Sequence, residues 1–96
     1  MQIWFSEYHT KDVRFSFRLE RELFSGTSEF QDIKIVETPE FGRVLLLDDC
    51  LMLTEKDEFI YHEMMTHLPL AVHPDPRRIL VIGGGDGGVV RELVRY

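Results

Sequence analysis

Residues 14–20 alternate strictly, with Phe15, Phe17 and Leu19 on one face and Arg14, Ser16, Arg18 and Glu20 on the other. A period of two predicts a half-buried β-strand. Ser25-Gly26-Thr27-Ser28 reads as a turn cluster, and a second strand over Gln31–Glu37 points Ile33 and Ile35 inward. Thr38-Pro39-Glu40-Phe41-Gly42 breaks that strand. The third, Arg43–Asp48, carries the unbroken run Val44-Leu45-Leu46-Leu47, which predicts cover on both faces. Asp48-Asp49 turns the chain, and Cys50–Leu53 returns as a short fourth strand. Consecutive strands joined by short turns predict an antiparallel meander.

The period then changes. Thr54 is a candidate helix N-cap with Asp57 three positions on, and Glu55, Asp57 and Glu58 suit the positive end of a helix dipole. Phe59, Ile60, Glu63, Met64 and His67 follow at helical spacing. Pro69 is expected to kink or end the helix, and His73-Pro74-Asp75-Pro76 to stop it. Ile79-Leu80-Val81-Ile82 reads as a buried strand entering Gly83-Gly84-Gly85-Asp86-Gly87-Gly88, and Val89–Tyr96 has the residues of a helix. The fold class expected is α+β: an N-terminal antiparallel β-sheet domain, then a helix and the first strand–glycine loop–helix of a Rossmann-like, methyltransferase-type α/β domain. The boundaries are a β domain over 1–53, a connecting helix and linker over 54–76, and the start of a truncated Rossmann-like domain over 77–96. A parallel strand needs neighbours, so the chain is expected to be an N-terminal piece of a longer protein, or to be covered by another chain.

Composition narrows the classes. At 96 residues, 44% hydrophobic and 29% charged, the chain is an ordinary globular one with a small core. One cysteine excludes an internal disulfide framework. No apolar run approaches the ~20 residues of a membrane span, and the first residues lack the pattern of a signal peptide. A cytoplasmic protein with no membrane partner is the expectation. The net charge of −6 argues against a nucleic-acid partner. Residues 37–63, with eight acids and two bases, carry that whole excess. Such a segment is either a solvated acidic face or an attractor of cationic ligands.

The glycine loop is the strongest chemical signal. Gly83-x-Gly85-x-x-Gly88 satisfies G-x-G-x-x-G between an expected strand and helix, where glycines permit a tight turn and close approach of a ligand. Dinucleotide enzymes and methyltransferase-like folds share the pattern, and a ligand-free turn also satisfies it. Asp86 is the unusual member, since a carboxylate there repels a pyrophosphate and welcomes an ammonium or sulfonium. His62-Glu63 with His67 is no zincin motif: histidines five apart diverge by about 140° around a helix. No metal site is expected. Taken singly, His62 is as well explained as a satisfied helix histidine, Tyr61 as packing and Gln31 as a surface amide. Glu92, on the last helix, is expected to be solvated.

Taken together, these segments are more specific. Thr54-Glu55-Lys56-Asp57-Glu58-Phe59-Ile60-Tyr61-His62-Glu63-Met64, the Pro-rich spacer, and Ile79–Ile82 entering Gly83-Gly84-Gly85-Asp86-Gly87-Gly88 closely resemble the bacterial spermidine synthases, which are polyamine aminopropyltransferases. Trp4-Phe5-Ser6-Glu7, Ser28-Glu29-Phe30-Gln31-Asp32-Ile33 and Leu46-Leu47-Asp48 are similar to that family as well, in order and at its spacing. Asp49 departs from it, standing where the family usually has glycine.

The resemblance implies a full-length enzyme that moves the aminopropyl group of decarboxylated S-adenosylmethionine, a co-substrate, to putrescine. It implies no metal or redox cofactor. Gln31 matches a glutamine at the thioadenosine nucleoside, Tyr61 and His62 match positions lining the polyamine pocket, and Asp86 matches the loop aspartate near the cationic groups. Gly83 and Gly85 belong to the donor loop. The deprotonating aspartate is expected beyond Tyr96, so these 96 residues carry no catalytic residue and are expected to be inactive by themselves. Homodimer or homotetramer assembly is implied. Two alternatives stay open: an aminopropyltransferase for another acceptor such as cadaverine or agmatine, and a non-catalytic oligomerisation module.

Overall fold

Six strands occupy the first 54 residues: β1 (Ile3–Thr10), β2 (Val13–Leu19), β3 (Arg21–Thr27), β4 (Asp32–Thr38), β5 (Gly42–Leu47) and β6 (Cys50–Thr54). Two helices follow, α1 (Glu58–Val72) and α2 (Gly88–Leu93). The computed structural model describes residues 1–96 as two units, Met1–Lys56 and Asp57–Tyr96.

In the first unit, β1 and β2 form an antiparallel pair with Phe5 opposite Phe17, and β3-β4-β5-β6 form an antiparallel four-stranded sheet. The core joins Phe17 of β2 to Val36, Val44 and Leu46, with Phe5, Leu19, Phe41 and Leu51 packed around them. Phe17 meets Phe5 at 5.3 Å and the edge of Phe41 at 5.9 Å between ring centroids. Such contacts add to burial by holding rings in offset or edge-on geometry.

Two strands escape the alternation pattern. β1 offers few inward apolar residues, and β3 contains the segment read as a turn. Ser25, Gly26 and Thr27 instead pair with Lys34, Ile33 and Asp32. Gly26 serves packing there: a Cβ would stand 3.0 Å from the Phe24 ring, which lies across the space left open. The turn falls later, where Ser28 N–H donates to the Gln31 carbonyl at 2.8 Å and Ser28 Oγ accepts from Gln31 N–H at 3.1 Å. On β4 the buried face carries Val36 and Thr38 rather than Ile33 and Ile35, because Val36 pairs with fully buried Val44. Ile35 shares the opposite face with Phe24, Leu45 and Leu53.

Asp48 and Asp49 both adopt left-handed backbone, φ 50° and 59°, as a two-residue hairpin between right-twisted strands requires. Their side chains brace the turn: Asp48 Oδ1 accepts from Asp32 N–H at 2.9 Å, and Asp49 Oδ1 from Lys34 Nζ at 3.2 Å. Asp is among the few non-glycine residues that tolerate this region.

Thr54 does not cap a helix. It ends β6 opposite Val44, and the ladder runs on through Glu55 N–H to the Arg43 carbonyl at 2.9 Å. The helix begins only after Asp57. Pro69 lies inside α1 without ending it. His73 is extended (φ −79°, ψ 131°), as a residue preceding proline is driven to be.

The expected strand at Ile79–Ile82 forms no sheet pairing, and Leu80 and Ile82 are 83% and 90% exposed. The unit 57–96 contains no strand, and an apolar run without a ladder partner has nothing to hold it as sheet.

Candidate active site

In the second unit, α1 and the glycine loop leading into α2 bring the chemical residues together. Gly83, Gly84 and Gly87 have φ of 88°, 69° and 81°. Only glycine adopts these angles without strain, so the loop can fold back on itself, with Gly87 N–H donating to the Gly84 carbonyl at 3.1 Å. Gly85 is different. Its backbone needs no positive φ, and a side chain there would meet nothing within 4 Å. Gly83 and Gly87 likewise border open space.

Asp86 projects from this loop with a side chain 29% exposed. Its Oδ1 accepts from Gly88 N–H at 2.7 Å and lies 3.1 Å from His62 Nε2. His62 is on the buried face of α1, its side chain 4% exposed. The other ring nitrogen, Nδ1, meets Glu58 Oε2 one helical turn earlier. Gly88 makes this approach possible, because a Cβ at that position would overlap the imidazole. The last glycine of the motif is therefore a seat for a histidine.

Glu58 is held in turn by Arg91 of α2, through Nη1 to Oε1 at 2.8 Å and Nη2 to Oε2 at 3.1 Å. This two-pronged pair is the strong form of a carboxylate contact. Arg91 first, and His62 after it, lower the Glu58 carboxyl to a pKa of about 2. The same pairing raises the Arg91 guanidinium above its ordinary value.

Glu92 is not solvated. It is 1% exposed, with Oε1 2.9 Å from His67 Nε2 and Oε2 accepting from Arg91 Nε at 2.9 Å. His67 first and Arg91 next hold its carboxyl below the ordinary range. His67 continues the chain through Nδ1 to the Tyr96 hydroxyl at 2.7 Å. One line of contacts thus runs from Asp86 through His62, Glu58, Arg91, Glu92 and His67 to Tyr96. No group of three His, Cys, Asp or Glu side chains is arranged to hold a metal ion.

Of the residues singled out in the sequence, the structure joins His62 to Asp86 directly. Tyr61 sits beside them on α1, 62% exposed, its ring edge-on to His62 at 5.4 Å between centroids. Gln31 belongs to the first unit, its backbone pinned by Ser28 at the entrance to β4. The sequence offers Glu58 only as a first-turn acid and Glu92 only as a solvated helix residue, and it gives Arg91 no role. The spacing of Glu58 and His62, one turn apart on a helix, was the available signal for the first. Nothing local marks Arg91 as a partner of Glu58, which lies on another element.

Comparison with known proteins gives the same family twice. Residues 3–55 match the model of the spermidine synthase tetramerisation domain, and residues 58–96 that of the spermine/spermidine synthase domain. The whole chain is 62% identical to a polyamine aminopropyltransferase of Lachnoclostridium phytofermentans and 50% identical to one of Streptococcus pneumoniae, covering 34% of each. The chain thus spans about a third of the length of these curated relatives. Spermidine synthase from Thermotoga maritima aligns with a TM-score of 0.93 at 46% identity, over 98% of this chain and 33% of that one. A spermidine synthase solved with the transition-state analogue AdoDATO aligns equally well, with 32% of it covered. No helix here is long and apolar enough to cross a membrane. The chain belongs to the spermine/spermidine synthase family.

Proposed function

We propose that the full-length protein transfers the aminopropyl group of decarboxylated S-adenosylmethionine to putrescine, giving spermidine and 5′-methylthioadenosine. The observation that carries this reading is the Asp86 carboxylate in a loop whose glycines leave space around it. Both substrates are cations, and a partly exposed carboxylate attracts an ammonium where it would repel a phosphate. Asp86 holds the ammonium groups, Tyr61 and His62 belong to the polyamine side, and Gln31 contacts the thioadenosine. Gly83 and Gly85 let the donor approach the backbone.

The displacement is balanced without a resident metal or redox cofactor. A neutral amine nitrogen forms a bond to the methylene beside the sulfonium. The C–S pair returns to sulfur, which leaves as a neutral thioether, and the nitrogen gives up a proton to a base. The base is an aspartate beyond Tyr96. These 96 residues contribute alignment and charge, the effects of holding two reactants in line.

We place the protein in the cytoplasm as a homodimer or homotetramer. The row Phe24, Ile35, Leu45 and Leu53 across the four-stranded sheet supports assembly through residues 1–56. Incubating the full-length protein with the decarboxylated donor and putrescine, cadaverine or agmatine in turn tests the activity. Spermidine formed faster than either other product is expected. No aminopropylated product from any acceptor would overturn the assignment, and preference for agmatine or cadaverine would change the acceptor.

A further inference from the structure

We propose that Glu58 and Arg91 are positioning residues for the substrate site: they hold the His62 ring, and the ring in turn fixes the Asp86 carboxylate. The inference deepens the reading of Asp86 as the anchor for substrate cations and rests on it.

Both ring nitrogens of His62 face carboxylates, Nδ1 toward Glu58 Oε2 and Nε2 toward Asp86 Oδ1. An ionised carboxylate only accepts hydrogen bonds. Nδ1 therefore donates to Glu58, and Nε2 stands at ion-pair distance, 3.1 Å, from Asp86 Oδ1. The ring is buried and held at Nδ1, so it keeps one orientation beside Asp86. Asp86 Oδ1 is fixed from two directions, by His62 and by Gly88 N–H at 2.7 Å. Oδ2 takes part in neither contact and is the oxygen available to an ammonium.

The other end of the ring is held with equal care. Glu58 cannot rotate away from His62 without giving up a two-pronged contact with Arg91. Arg91 also reaches Glu92, so its guanidinium is held by two carboxylates. Gly88 leaves room for the ring and no room for a side chain beside it. The site carboxylate is therefore oriented from α1 and α2 together, through residues that need not touch substrate.

The test combines kinetics with a spectroscopic reading of the ring, in the full-length protein. Glu58→Ala should lower kcat/KM for the amine acceptor roughly ten-fold, the loss expected when a charge-assisted contact no longer holds its partner. Glu58→Gln, which keeps an acceptor for Nδ1–H, should recover most of it. In an Asp86→Asn background the Glu58→Ala change should cost less than about two-fold, because the two act in series. A Glu58→Ala loss of equal size in both backgrounds would overturn the proposal and mark Glu58 as structural only. Nitrogen-15 spectra of the His62 imidazole should show the Nδ1 signal displaced by Glu58→Ala and the Nε2 signal displaced by Asp86→Asn. A ring whose Nε2 signal is indifferent to Asp86→Asn would overturn it too. Absence of transferase activity in the wild type would defeat the functional reading instead, and the ring spectra would still decide whether the clamp exists.

Discussion

Asp86 and Glu92 are carboxylates of the same loop–helix segment, and their surroundings give them different work. Asp86 keeps a partly open side chain with both contacts on one oxygen. Glu92 is closed off, facing His67 and Arg91, with Arg95 Nη1 at 3.3 Å as a third partner. Removing charge from a buried, multiply bonded carboxylate leaves donors without a matched acceptor, whereas an open one loses mainly what it does for a ligand. Glu92→Gln should therefore lower the melting temperature by several degrees. Asp86→Asn should leave melting nearly unchanged and cut kcat/KM roughly ten- to hundred-fold in the full-length protein. Thermal melts and steady-state kinetics on the two variants check this, and a stability loss confined to Asp86→Asn would reverse the assignment. The sequence places Glu92 on a helix surface because nothing within its own turn predicts a histidine arriving from α1. Burial of this kind is decided between elements, beyond the reach of a local pattern.

The elements divide along the same line. β2, β4, β5 and β6 were legible because alternation and turn residues act within a few positions. β1 and β3 were not, since β1 earns its place by pairing with β2 and β3 by laying Phe24 over Gly26. Thr54 failed as a cap because strand pairing claimed it first. In the glycine loop the motif was legible, but the work of each glycine was not. Gly83, Gly84 and Gly87 serve the backbone, Gly88 seats His62, and Gly85 borders open space. Substitution should separate these uses. Gly88→Ala forces the imidazole out of its seat and should cost about 1–3 kcal/mol, as overpacking does. Gly85→Ala meets no neighbour and should shift stability by no more than ~0.5 kcal/mol, while weakening binding of the decarboxylated donor to the full-length protein. Chemical denaturation and donor titration on both variants test the division; a destabilised Gly85→Ala would show that the loop has no such opening.

Across the whole molecule the two units are stabilised by different physics. The buried apolar side chains, Phe17, Val36, Val44 and Leu46, all lie in residues 1–56. Ion pairs there, such as Arg21–Glu37, Lys34–Asp49 and Lys56–Glu40, lie toward the surface, where each contributes at most ~1 kcal/mol. Two of them, Arg21–Glu37 and Lys34–Asp49, bring bases from outside residues 37–63 to acids within that segment. In residues 57–96 the buried side chains are His62, Thr66 and Glu92, all polar, and the ion network around Glu58 and Glu92 takes the place of an apolar centre. Acid should expose this difference. Glu58 titrates near 2 when folded against an ordinary 4.5, and Glu92 is lowered in the same direction. A carboxylate with a lowered folded-state pKa contributes stability in full above its unfolded value and loses it as pH falls through the folded one. Residues 57–96 should therefore lose native structure progressively between about pH 4.5 and 2, ahead of residues 1–56. Amide signals followed residue by residue through an acid titration would show it: those of α1 and α2 should fade first, with β4 and β5 persisting, and the opposite order would mean that the ion network adds nothing to the stability of its unit.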